Sequence, residues 1–356
     1  VIFGVIKFGS SGGKMKTRWL QTFAGLGLMI GMTTSSTTTG QSSTSVFEVN
    51  KLLARTVNFG NALEAPSEGA WGMKLEERFF DLVKNAGFSA IRLPTKFSAH
   101  AGETAPYKLD RDFILRVDWA IQNAKKRGLA IIVDLHHYDE LINAPEQHKD
   151  RWLGIWKQLA ERYRNQPESV IFELCNEPNG KLEPFWNAYL AEALTLVRQT
   201  NKARAVIVGP NGWNNADRFS ELQLPNDPNL ILTFHNYTPF EFTHQGAEWW
   251  ADGDKHLGTP WKGTNADKTV VTSYLEKAVA YAKSKNLPVF MGEFGAYGKA
   301  DIQSRVRWTT YTRQEAEVRG FSWGYWEFGA GFGVYDRLND AWRMELLKAL
   351  LPNAKP

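Results

Sequence analysis

Eight short β-rich runs recur along this chain, and a helical stretch follows each of them. The strand candidates are residues 56–63, 90–94, 130–137, 170–178, 205–210, 231–237, 288–295 and 324–329. The helical stretches are 74–86, 112–127, 149–164, 184–200, 216–222 (the weakest), 269–285, 301–319 and 341–350. The first carries Leu75, Phe79, Leu82, Val83 and Ala86 at helical spacing and stops at Gly87. Eight strand–helix units predict a single α/β domain, a (β/α)8 barrel. A doubly wound open sheet is the competing arrangement. Its dinucleotide-binding version needs a G-x-G-x-x-G turn, and the first junction, Asn58-Phe-Gly-Asn-Ala62, lacks one.

The first 45 residues stand apart from this pattern. They contain Lys7, Lys14, Lys16 and Arg18 and no acidic residue. A basic stretch opens at Met15, an apolar run covers 19–32, and a Ser/Thr/Gly tract continues to Ser45. That order is the order of a secretory signal peptide. The apolar run is shorter than the ~20 residues that span a bilayer. We expect Met15 to be the natural start, 1–45 to be upstream tail, leader and polar linker, and 46–356 to be the exported catalytic domain. The net charge of +4, from 42 basic and 38 acidic residues, then belongs to the leader. Without its four cations the two signs balance at 38 each. No basic surplus remains to suggest nucleic acid or a membrane surface as a partner. The single cysteine, Cys175, excludes an intrachain disulfide and a Cys-rich metal site; it reads as a small buried residue.

Function is signalled by position. In such a barrel the carboxyl ends of the strands converge on one face. Here those ends carry polar or aromatic residues: Asn61 and Glu64, Arg92, His136 and His137, Asn176 and Glu177, Trp213, His235 and Tyr237, Glu293, and Trp326. Two carboxylates lead the set. Glu177 ends the fourth strand candidate and Glu293 the seventh, so they are able to face each other across the mouth. Carboxyl groups about 5–5.5 Å apart are the equipment of retaining glycoside hydrolysis. One must donate a proton while the other is ionised, so their surroundings must separate their pKa values. Arg92 and Tyr237 are suited to hold one carboxylate ionised, and His235 to orient the acid. Glu173 shares strand parity with Glu177 but lies roughly 13 Å deeper, at about 3.3 Å per residue. It is expected to be a buried structural carboxylate with a basic partner. His136 and His137 are adjacent, so strand alternation expects only one of them in the mouth.

Asn176-Glu177-Pro178 and Gly292-Glu293-Phe294-Gly295, with Arg92, His136-His137, His235-x-Tyr237 and Trp326, resemble glycoside hydrolase family 5 over about residues 58–350. Gly60-Asn-Ala-Leu-Glu-Ala-Pro66 and Gly331-Phe-Gly-Val-Tyr-Asp336 are similar to bacterial endo-β-1,4-glucanases of the Cel5A type. The resemblance implies that Glu177 is the acid/base and Glu293 the nucleophile. It implies that Asn176 binds the sugar 2-hydroxyl and that Arg92 and Tyr237 hold the nucleophile. His136 and His235 would line that subsite and Trp326 would stack beneath the sugar. Asn61, Glu64 and His137 would bind hydroxyls on the non-reducing side. The implied activity is a retaining cellulase acting on cellulose and β-glucans, or a mannanase, or both. The implied partner is a β-1,4-linked polysaccharide; no cofactor is implied, no nucleic acid or membrane partner is expected, and the mature protein is expected to be a monomer.

Two bland alternatives weigh against this. A sugar-binding barrel without catalysis would have lost a carboxylate, and both are present. A metal hydrolase would need ligand spacing such as H-x-H or H-E-x-x-H, which does not occur. Among the 14 tryptophans, Trp119, Trp152, Trp156 and Trp308 fall within helical stretches and are expected to pack. Trp249, Trp250 and Trp261 fall in the long connection 238–267, whose length suggests a functional loop bordering the cleft.

Overall fold

The computed structural model describes residues 44–354; the expected leader lies outside this range except for its last two residues. Eight parallel strands close into a barrel: β1 (Thr56–Asn58), β2 (Ala90–Thr95), β3 (Ala130–Leu135), β4 (Val170–Glu173), β5 (Val206–Val208), β6 (Leu230–Asn236), β7 (Val289–Phe294) and β8 (Ser322–Tyr325). Closure is made by β1 against β8, with Thr56 opposite Gly324. Helices Glu77–Ala86, Arg111–Lys126, Pro145–Tyr163, Trp186–Arg198, Asn265–Lys285, Ile302–Val318 and Met344–Leu350 form the outer ring. The weak fifth helical stretch is a 3-10 turn, Ala216–Glu221.

The barrel interior is layered because inward side chains alternate along each strand. The lowest layer is apolar, with Ala90, Ile132, Ile171, Ile207, Ile231 and Phe290 all fully buried. Two residues higher on these strands the layer is polar: Arg92, Asp134, Glu173 and Thr233, each at most 1% exposed. The interior therefore changes from hydrocarbon to an ionic lattice just below the mouth.

Three departures from the sequence reading have physical causes. A helix at Val46–Leu52 was not expected; Ser45, assigned to the linker, caps it by accepting the Glu48 N–H. Val49 and Leu53 plug the apolar layer from below, and the Asn50 amide donates to Val289 O at 3.1 Å. At seven residues it is shorter than the window over which helical periodicity is read. The strands end earlier than their candidate runs: β1 stops at Asn58 and β4 at Glu173, and the chain beyond them runs irregularly to the left-handed Asn61 (φ 64°) and Glu177 (φ 49°). The last helical stretch begins late: Ala341–Trp342 pairs antiparallel with Tyr335–Asp336 before the helix starts.

Candidate active site

Glu177 and Glu293 reach the mouth by different backbone devices. Asn176 and Glu177 are consecutive, yet both serve the site. β4 ends at Glu173, so neither follows strand alternation, and Glu177 takes a left-handed φ of 49°. In β7 a bulge does the same work. Phe234 pairs with Met291, but His235 pairs with Glu293, so Gly292 is an extra residue. A Cβ on Gly292 would stand 2.7 Å from Thr233 Oγ1 and 3.1 Å from His235 Nε2. Only glycine lets β7 pass His235 this closely and deliver Glu293 beside it.

The resulting geometry joins the two carboxylates through His235. Its Nδ1 lies 2.6 Å from Glu177 Oε1 and 3.6 Å from Glu293 Oε2. Oxygens of the two carboxyl groups lie within 4.8 Å of each other. Arg92 Nη1 donates to Glu293 Oε1 at 2.7 Å, and Tyr237 donates its hydroxyl to Glu293 Oε2 at 2.8 Å. Glu173 sits where its parity placed it, gripped by Arg92 through Nε at 2.7 Å and Nη2 at 2.8 Å. Arg92 Nη2 also donates to Asn176 Oδ1 at 2.7 Å. The Asn176 amide oxygen is thereby used, and its NH2 group is left to donate.

Burial pushes the Glu177 carboxyl up to about 7, with Arg92 opposing and Glu173 adding to the rise. Burial also raises Glu293 and the Glu177 charge adds to the rise, but Arg92 and the Tyr237 hydroxyl pull it back. Glu293 thus carries more support for its charged form than Glu177 does. Burial lowers His235 to about 4 and holds the imidazole neutral. Glu177, His235 and Glu293 are close enough together to raise the question of a metal ion. The Arg92 guanidinium and the Tyr237 O–H, both aimed at Glu293, put positive charge and a donor where a cation would need to sit.

A cleft of about 1490 Å³ runs across the mouth and contains the pair. Asn61, Glu64, His136, His137, Trp213, His235, Tyr237 and Trp326 all line it. Trp326 and His136 lie parallel, centroids 5.5 Å apart, and His136 is held by Asp134 at 2.5 Å. His136 and His137 both face the cleft, against the expected alternation. β3 ends at Leu135, so neither residue obeys strand parity. Glu64 is 1% exposed, and its oxygens accept the N–H groups of Asn61 and Ala62. It therefore anchors the turn that carries Asn61.

Of the tryptophans in the 238–267 connection, Trp249 alone lines the cleft, at 62% exposure. Trp250 stacks on His256, and Trp261 is buried. Trp71, Phe240, His244, Tyr274 and Phe332 also line the cleft. Tyr274 comes from the middle of the helix Asn265–Lys285 and the others from loops and short helical turns, so no strand-end pattern marks them.

A closed (β/α)8 barrel with two carboxylates facing across its carboxyl-terminal mouth defines a glycoside hydrolase type of site. The family model for Cellulase (glycosyl hydrolase family 5) matches residues 54–331, and the chain belongs to that family. It is 33% identical to Endoglucanase H of Acetivibrio thermocellus over 85% of this chain, spanning only 33% of that longer protein. It is 29% identical to Endoglucanase A of Ruminococcus albus, covering 84% of this chain and 90% of that one. Among solved structures, Thermotoga maritima Cel5A in complex with cellobiose is 46% identical with a TM-score of 0.84, covering 85% and 99% of the two chains.

Proposed function

We propose that this chain is an endo-β-1,4-glucanase that cleaves internal bonds of cellulose and β-glucans by double displacement with retention. Glu177 protonates the glycosidic oxygen while Glu293 attacks the anomeric carbon. Glu177 then activates water to release the glycosyl-enzyme. The observation that carries this reading is the separation of the carboxyl groups, whose oxygens come within 4.8 Å. Inverting enzymes need about 6.5–9.5 Å to admit water between the groups. The unequal environments of the two carboxyls support the assignment of roles. Asn176 offers donors to the 2-hydroxyl, and Trp326 offers a flat face beneath the same sugar.

The test is NMR of the first-formed product anomer together with the Glu293→Gln variant. Retention and a loss of several orders of magnitude in kcat are expected; inversion, or near-normal turnover by the variant, would overturn the reading. A second activity on β-mannans is favoured by one observation: Thermotoga maritima Cel5A, 46% identical, has been solved in complex with mannotriose. Hydrolysis of glucomannan and galactomannan beside carboxymethyl-cellulose tests it. The leader-like residues 1–45 support export, and N-terminal sequencing of the protein from culture medium tests that.

A further inference from the structure

Asn214 lies behind the site, fully buried, and touches neither carboxylate. The backbone takes an unusual route to put it there. After β5, Gly212, Trp213 and Asn214 have φ of 66°, 62° and 53°, three consecutive residues in the left-handed region. Such a conformation is strained for a residue with a side chain. It persists because it sends neighbours to opposite fates: Trp213 is 58% exposed on the cleft wall, while Asn214 is fully buried. The turn is stitched to the acid/base loop by Trp213 N–H donating to Pro178 O at 3.2 Å. Gly209 completes the niche, since a Cβ there would stand 2.2 Å from Asn214 Oδ1.

What Asn214 meets in this niche is the far side of His235. Its Nδ2 lies 3.3 Å from His235 Nε2. In this orientation the amide turns its NH2 to the ring and leaves Oδ1 without a partner among the described residues, and since an amide nitrogen only donates, Nε2 accepts. A neutral imidazole has one donor and one acceptor nitrogen. Its proton is then on Nδ1, which faces Glu177 Oε1 at 2.6 Å. With Oε1 engaged as an acceptor, a proton on the carboxyl belongs on Oε2.

We propose that Asn214 is a positioning residue that fixes His235 with its proton on Nδ1 and so reserves Oε2 of Glu177 for giving and taking the catalytic proton. This rests on Glu177 being the acid/base. Asn214 acts through His235 and meets no substrate. The two strained non-glycine residues and the glycine niche are the structural cost of keeping it there.

The experiment pairs a direct reading with a kinetic one. In the intact wild-type enzyme, 15N NMR of the imidazoles reports the tautomer, with His235 assigned by loss of its signals in His235→Gln. The Nδ1–H form is expected; an Nε2–H form overturns the proposal and needs no Asn214 variant to fold. In Asn214→Asp and Asn214→Leu, kcat/KM on phenyl cellobioside should fall by about tenfold or more. On dinitrophenyl cellobioside, whose leaving group needs no proton, it should change less than about threefold. Equal losses on both substrates overturn the positioning role. Glu177→Gln on the same two substrates separates the layers: equal losses there sink the acid/base assignment itself. A selective loss in Glu177→Gln without one in the Asn214 variants sinks only the role of Asn214.

Discussion

Arg92 Nη1 stands 2.7 Å from Glu293 Oε1 while Nε and Nη2 of the same guanidinium hold both oxygens of Glu173. One buried side chain therefore ties the proposed nucleophile to the ionic layer beneath it. Asp134, 3.1 Å from Nη2, shares the same cation. The planar fork is what allows this, because a lysine has one nitrogen and cannot serve Glu173, Glu293 and Asn176 together. Arg92→Lys can no longer pair Glu173 and Glu293 together and Arg92→Met pairs neither, so each leaves a buried carboxylate short of a partner. Both variants should lose about 3–5 kcal/mol of stability, measured by urea unfolding. Their kcat/KM on β-glucan should fall by about 10² or more at temperatures where they remain folded. Wild-type stability in either variant would remove Arg92 as the centre of the lattice.

The Glu177 carboxyl, pushed up to about 7 chiefly by burial, sets an expected alkaline limb. An acid donates only while protonated, so kcat/KM on an unactivated aryl cellobioside should fall as pH rises through about 7. Groups facing Glu177 and Glu293 are His235, Arg92, Glu173 and Tyr237. His235, lowered to about 4, is already neutral there. The limb should vanish on dinitrophenyl cellobioside. If both substrates share it, the titrating group is another.

These two results separate what was legible in the sequence from what was not. The barrel follows from eight repeats of one pattern, and strand parity alone placed Glu173 under the mouth as a buried carboxylate needing a basic partner, which is Arg92. Glu177 and Glu293 are marked by ionisable groups at the ends of apolar runs. Three things stayed hidden for one reason: each depends on a backbone that leaves its regular period. The Gly292 bulge re-aims Glu293, the early end of β3 turns both His136 and His137 to the cleft, and the left-handed turn buries Asn214. The helix Val46–Leu52 escaped because its identity comes from the barrel floor it plugs. Glu64 lines the cleft, and its oxygens also accept backbone N–H groups at short range in sequence, a contact that residue type alone does not announce.

Glu64 and Glu327 form a second pair of buried carboxyls, Glu327 directly following Trp326 in the chain and its charge acting on Glu64. Glu327 accepts the N–H groups of Gly329, Ala330 and Phe332 and so pins the loop bearing Phe332. Burial raises Glu64 to about 8 and Glu327 to about 7, from 4.5, and outweighs the backbone donors. Each holds its proton more tightly folded than unfolded. Their contribution to stability is complete below 4.5 and is lost as pH climbs to about 7 and about 8. Unfolding free energy should therefore decline over this range, by up to roughly 1.4 kcal/mol per pH unit for each group. Glu64→Gln should flatten the decline in urea titrations at pH 5, 6, 7 and 8. A slope unchanged in that variant would assign the loss elsewhere.

Trp213 tests whether the strained turn serves the cleft or only the fold. Its ring is 58% exposed and lines the cleft, so little of its contact area supports the core. Trp213→Ala should raise KM on long glucans by about three- to tenfold, the loss of one aromatic stacking surface, with kcat nearly kept. Stability should move little from contacts, but the backbone adds a second, opposite expectation. At φ of 62° an alanine is as strained as the tryptophan, whereas glycine adopts that region freely. Trp213→Gly should therefore be more stable than Trp213→Ala by about 1 kcal/mol, a reversal of the order seen at ordinary positions. Both variants should share the raised KM, because both lack the ring. A Gly variant less stable than the Ala variant would mean that the turn relaxes once the tryptophan is removed. In that case the left-handed run would be imposed by Trp213 itself and not by the burial of Asn214 behind it.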